Sequence, residues 1–174
     1  LAGIVQPLVQ FFAAFPANLL FPITFIVITH YNLNPNIWLS PLMIMGAQWY
    51  ILFNVIVGAS ALPNDLKDAV KILKVKGWNW WYKVMLPAIA PYFITGAITA
   101  SGGAWNASIV AEVINFGDKK IVAVGLGSYI AEMTVKADFN NIVLGMGMMS
   151  LLVILLNRLF WQPLNEYSVN KFRF

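Results

Sequence analysis

Apolar residues run along this chain in long stretches, and no Asp, Glu, Lys or Arg occurs before Asp65. From Leu1 to Tyr31 the apolar pattern is broken by Pro7, Pro16 and Pro22. Such spacing predicts kinked or interrupted helix. We read residues 8–31 as one bent span and 1–7 as the end of an earlier element. Asn34-Pro35-Asn36 marks a short turn within Asn32–Pro41. Trp38–Ser60 then forms an uninterrupted apolar run of ~34 Å if helical, enough to cross a bilayer's hydrocarbon core. Pro87 to about Val113 predicts a further span, and Ile142–Trp161 a last one. Between these two, Asn115–Asn140 is mixed, and its Ile121–Ala137 part predicts an external surface helix or a shallow re-entrant segment. The expected fold is all-α, a polytopic membrane helical bundle.

The segment from Pro63 to Pro87, PNDLKDAVKILKVKGWNWWYKVMLP, departs from this pattern. Leu66, Ala69, Val70 and Leu73 fall on one helical face, while Lys67, Lys71 and Lys74 follow at i, i+4, i+7 on another. Pro63 bars continuation from the left, Asn64 or Asp65 caps, and Gly77 ends a helix of roughly three turns. A helix this short does not cross a bilayer, which needs about 20 residues. Three readings stay open on pattern alone: a membrane-surface helix, a solvated amphipathic loop, or a peg that docks on a partner protein. Trp78, Trp80, Trp81 and Tyr82 follow it, an aromatic cluster suited to the headgroup level.

Composition narrows the class. Sixty per cent of the 174 residues are hydrophobic, 10% are charged, and the mean hydropathy is +0.73. A soluble core of that composition would leave large apolar patches in water, so lipid is the expected solvent. The net charge of +4 resides in loops and the tail, so it does not argue for nucleic acid. The Pro63–Pro87 loop holds five lysines against two acids, and the tail from Arg158 holds three basic residues against Glu166. The Glu112–Asp138 region holds three basic and four acidic residues. The positive-inside rule then predicts the first two cytoplasmic and the third external. Glu112, ~43 Å along a helix from Lys83, is expected at the outer mouth. Leu1 begins in mid-hydrophobic sequence with no signal peptide in view, and the chain reads as the later part of a longer product.

Candidate chemistry is sparse. No cysteine is present, His30 is the only histidine and reads as interfacial, and no GxxxxGK[ST], HExxH or GxSxG motif occurs. Gly125-Leu126-Gly127 lacks the third glycine of a nucleotide loop. No catalytic residue, metal site or cofactor is expected. Gln48 and Asn54 lie inside an apolar run, and Thr95, Thr99, Gly102 and Asn106 make a stripe at i, i+4, i+7, i+11. Helix-to-helix contact and a solute path both suit these residues. Ser101-Gly102-Gly103-Ala104 suits close packing or a helix break, and Gly145, Gly147 and Ser150 offer small packing surfaces.

The charged loop resembles the coupling loop of permease subunits of ATP-binding-cassette importers. That signature runs Glu-Ala-Ala, three residues, Gly, nine residues, Ile, one residue, Leu-Pro. Asp68-Ala69-Val70 stands for the triplet, Val84 for the Ile, and Leu86-Pro87 closes at the same distance. Lys74 stands where the family has Gly, with Gly77 one turn later as the alternative bend. Phe15-Pro16-Ala17-Asn18, the AQWYILFNV run from Ala47, and GGAWNASIVAE from Gly102 resemble the nitrate, sulfonate and taurine branch, including its permeases with two units fused in one chain. The resemblance implies a single permease domain over 1–174, the later part of a longer permease, with 63–87 its coupling loop. It implies that a coupling helix from about Asp65 to Val75 docks on a cytoplasmic ATPase dimer through Asp65, Leu66, Lys67, Asp68, Ala69, Val70, Lys71, Leu73 and Lys74. Gly77, Leu86 and Pro87 would pass the motion on. It further implies a second permease unit, an extracytoplasmic solute-binding protein, a small anionic solute, and ATP hydrolysis on another subunit. The competing reading is a membrane assembly subunit or an ATP-independent channel.

Overall fold

The computed structural model describes residues 7, 9–11, 13, 14 and 16–171, and the fold over them is a membrane helical bundle with one small hairpin. Residues 1–6, part of the expected 8–31 span, Phe15 and the 172–174 end of the tail lie outside the described residues. Helix α1 (Ala17–His30) opens with a 3-10 turn after Pro16, with Pro22 in its first α-helical turn, where a missing N–H costs little. The proline-rich start therefore interrupts the helix, as the pattern predicts.

Helix α2 (Pro35–Ser60) begins earlier than Trp38 because Asn34 caps it, its side chain accepting from Asn36 N–H at 3.0 Å, with Pro35 first in the helix. Helix α3 (Asn64–Ile72) follows after Pro63. Helix α4 (Trp78–Ala111) starts nine positions before Pro87. It includes a five-residue π turn, Trp81–Met85. The ring of Pro87 crowds the carbonyl four residues back, that of Lys83, and the widened turn lies at that place. The aromatic cluster is thus helical rather than a loop. Helix α5 (Leu126–Val135) and helix α6 (Phe139–Lys171), with a second π turn at Asn157–Trp161, complete the set. Helices α2, α4 and α6 are each long and apolar enough to cross a membrane. At 14 residues, Ala17–His30 is not, taken alone.

One short hairpin accompanies the helices. Strands β1 (Val113–Phe116) and β2 (Lys119–Val122) pair antiparallel around a two-residue Gly117-Asp118 turn. Gly117, at φ +59°, supplies the positive angle that a type II′ turn needs in its first position. Of the expected Ile121–Ala137 helix, Ile121 and Val122 are strand and Leu126–Val135 is helix.

The chain forms two compact units, Leu1–Trp49 with Gly103–Leu151, and Tyr50–Gly102 with Leu152–Phe174. The core of the first unit joins Phe25, Ile28, Leu39 and Leu42 to Ala111, Ile114 and Ala123, with Phe25 and Phe116 rings 5.5 Å apart. Gly145 in α6 lies against Ile130 and Tyr129 of α5, while Gly147 faces open space. In the second unit α2 and α4 meet where a Cβ on Gly96 would lie 2.8 Å from Ile51 Cα and 3.0 Å from Tyr50 O. The close approach thus falls at Gly96. At Gly102 a side chain would meet nothing within 4 Å, and the helix runs unbroken through Ser101–Ala104.

Candidate functional site

Helix α3 ends in a way the sequence leaves ambiguous. The N–H of Val75 donates to Val70 O at 3.2 Å and that of Lys74 to Lys71 O at 3.1 Å. These two bonds are a Schellman motif, which requires a left-handed residue after the C-cap. That residue is Lys74, at φ +51°. The lysine standing at the signature's glycine therefore holds the backbone angle a glycine would supply. Gly77, at φ +62° and ψ −135°, caps the start of α4 instead of replacing it. The helix is also shorter than Asp65–Val75, and neither Asn64 nor Asp65 caps it: Pro63 is the N-cap, with no side-chain bond.

The faces of α3 divide clearly. Val70 is buried at 7% exposure, with Leu66 and Lys67 half-buried beside it. The opposite face carries Asp65, Asp68 and Ala69, with Ile72 at 79% and Leu73 at 72% exposure. Ile72 is absent from the apolar face read from the sequence, although its spacing three residues from Ala69 was available. Lys71 Nζ meets Asp68 Oδ1 at 2.8 Å, and this hydrogen bond, then the lysine charge, holds the Asp68 carboxyl below its usual range. Leu86 is exposed, and Lys67, Lys71 and Lys74 border a groove beside Val70.

The polar residues of the long helices are placed unequally. Asn54 donates to Tyr50 O at 2.8 Å, Thr95 to Pro91 O at 3.0 Å, and Thr99 to Thr95 O at 3.0 Å, all within their own helices. Gln48 and Asn106 are exposed, and their side chains make no hydrogen bond among the described residues. Thr95, Thr99, Gly102 and Asn106 do share one face of α4, with Gly102 half-buried.

Past Ala111, Glu112 fastens the region that follows. Its carboxylate accepts from Ser128 N–H at 2.7 Å, and its carbonyl accepts from Ala123 N–H at 2.8 Å. A carboxylate thus already occupies the N-terminal end of α5, where a helix favours negative charge. Gly125 and Gly127 admit the close contacts with Glu112 and Ser108 that bring α5 there, which explains the glycine pair without a nucleotide. On α5, Lys136 bonds Glu132 at 2.7 Å, lowering the carboxyl's pKa and raising the ammonium's. His30 is exposed, edge-on to Tyr31 at 4.8 Å. Among the described residues no group of three His, Cys, Asp or Glu is placed to hold a metal.

Residues 1–160 match the family of binding-protein-dependent transport system inner membrane components. The chain belongs to that family. Curated relatives include the nitrate import permease protein NrtB of Leptolyngbya laminosa, 32% identical over 113 residues. The bicarbonate transport system permease protein CmpB is 30% identical over 110 residues in Synechocystis and 31% over 112 in Synechococcus elongatus. These matches cover 63–65% of this chain and 38% of each relative's length. The chain is thus an inner membrane component of a binding-protein-dependent transport family, and its named relatives are permease proteins.

Proposed function

We propose that this chain is part of the transmembrane permease of an ATP-driven importer, with α3 as its coupling helix. The observation that carries this is the two-sided α3. One face is anchored by Val70, and Ile72 and Leu73 project from the other between two helices long enough to span the bilayer. Exposed aliphatic residues on a short helix are what a groove-lined partner takes up. In this reading Ala69, Ile72 and Leu73 enter a groove on the cytoplasmic ATPase dimer, with Asp65, Asp68 and Lys71 at its rim. Leu66 and Val70 hold the peg to the permease, with Lys67 and Lys74 on the same side. Gly77, the π turn and Leu86-Pro87 carry ATPase motion into α4, switching the pathway between outward- and inward-open states. The left-handed Lys74 supports this reading over that of a decayed loop, because the exit geometry of the signature is kept.

The Pro63–Pro87 loop and the C-terminus lie on the cytoplasmic side by their lysine and arginine excess. A second permease unit completes the pathway, and an extracytoplasmic solute-binding protein delivers solute to the face holding the hairpin and α5. The nitrate and bicarbonate names of the relatives favour a small oxyanion. Gln48 and Asn106 are its first contacts, since their amide donors are uncommitted, whereas Asn54, Thr95 and Thr99 donate within their own helices. Gly102 leaves room beside Asn106 for the solute to pass.

The test is Leu73→Asp in the assembled transporter. We expect the subunit to insert, the ATPase to be lost on purification in mild detergent, and uptake to fall to background. Retained ATPase with wild-type uptake refutes the docking role. Solute flux into liposomes without nucleotide refutes the importer itself. Asn106→Ala is expected to lower uptake with ATPase binding intact.

A further inference from the structure

The inner side of α3 borders a groove of about 640 Å³. Its apolar wall is Ala59 and Leu62 at the end of α2, Val70 and Val75, and Trp80 and Met85 of α4. Its remaining lining is Lys67, Lys71, Lys74 and Lys76, with no carboxylate. Lys71 is paired with Asp68, and the other three make no ion pair among the described residues. The groove is open to the surface, and its volume lies within the range of ligand pockets.

We propose that this groove binds one acidic phospholipid, its phosphate among Lys67, Lys74 and Lys76 and the upper part of an acyl chain along Leu62, Val70 and Met85. Charge complementarity requires an anion, and the apolar wall requires that the anion carry a hydrocarbon portion. The wall is built from the ends of two helices long enough to cross a membrane, so the groove runs from a lysine-rich rim toward hydrocarbon. An acyl chain follows that course, and a peptide segment would have to leave water to do so. Trp78, Trp81 and Tyr82 stand exposed beside it, as interfacial aromatics do. Basic pockets near the cytoplasmic ends of spans hold acidic headgroups by the same balance. The inference goes beyond docking: the lipid lies behind α3 and the ATPase in front.

The test uses the full chain in nanodiscs of phosphatidylcholine doped with either brominated phosphatidylglycerol or brominated phosphatidylcholine. Trp80 lines the groove, so its quenching is read as the difference between the native protein and Trp80→Phe. We expect phosphatidylglycerol to quench this component at roughly one-tenth the mole fraction needed for phosphatidylcholine. Lys67→Gln/Lys74→Gln/Lys76→Gln should remove the preference, and the same three changed to Arg should keep it. Equal quenching by both lipids, loss of preference in the Arg variant, or preference surviving in the Gln variant overturns the proposal. Abolition by millimolar inorganic phosphate assigns the site to free phosphate and overturns it too. The assay holds no ATPase and no solute, so its failure leaves the docking proposal standing, and the reverse.

Discussion

Replacing Lys74 with glycine should tighten the end of α3. A side chain in the left-handed region costs about 1–2 kcal/mol, and glycine removes that strain. Greater freedom of glycine in the open chain takes back part of the gain, about 0.4–1 kcal/mol. The net for Lys74→Gly is about 1 kcal/mol in favour of the closed Schellman turn, or roughly fivefold in its opening constant. The readout is hydrogen exchange of the amides at positions 74 and 75, whose bonds to Lys71 and Val70 close the turn. Both should exchange about fivefold more slowly in the variant. Lys74→Ala separates strain from charge, because it loses the ammonium and keeps a Cβ at φ +51°. It should show no slowing. Equal exchange in the Gly and Ala variants refutes the argument, because the backbone angle would then carry no strain.

Gly127→Ala should be the most disruptive small change in the first unit, since its Cβ would meet the Ser108 carbonyl group and lie 2.7 Å from Ile109 N. Forcing backbone from backbone costs about 1–3 kcal/mol, measurable as a lowered unfolding temperature. Gly147→Ala, with open space around it, should leave that temperature unchanged. The Asp68–Lys71 pair sets a pH expectation. Because the folded carboxyl is held below its usual range, its contribution is complete above about pH 5 and is lost as pH falls through the lowered value. The difference in unfolding temperature between Lys71→Ala and native protein should therefore be constant from pH 7 to pH 5 and close only in stronger acid.

The spanning helices were legible because twenty or so apolar residues admit little else in a bilayer, and α2 and α6 follow their apolar runs. The start of α4 was not, because lysine and tryptophan at 78–83 resemble a loop at the headgroups, and Pro87 resembles a helix start. The π turn absorbs that proline, and periodicity carries no signal for it. The hairpin did leave a signal: Val113-Ile114 and Ile121-Val122 flank a Gly-Asp pair. The mixed charge around it drew attention to a surface helix instead. For α3 the position of a short helix was readable, but its facing was not. Leu66, Ala69, Val70 and Leu73 form one apolar arc, and only the wall of α2 and α4 decides that Val70 turns in and Leu73 out. Lys74 misled for a physical reason, since backbone angle and side-chain identity are separable, and sequence displays only the second.

Glu112 sits one residue beyond α4, holding Ser128 by its carboxylate and Ala123 by its carbonyl, while Gly127 rests against Ser108. Two attachments to α5 and one to Ala123 before it thus fall within one turn of helix. A tilt of the final turn of α4 would be passed directly to the start of α5 and to Ala123, the residue after β2.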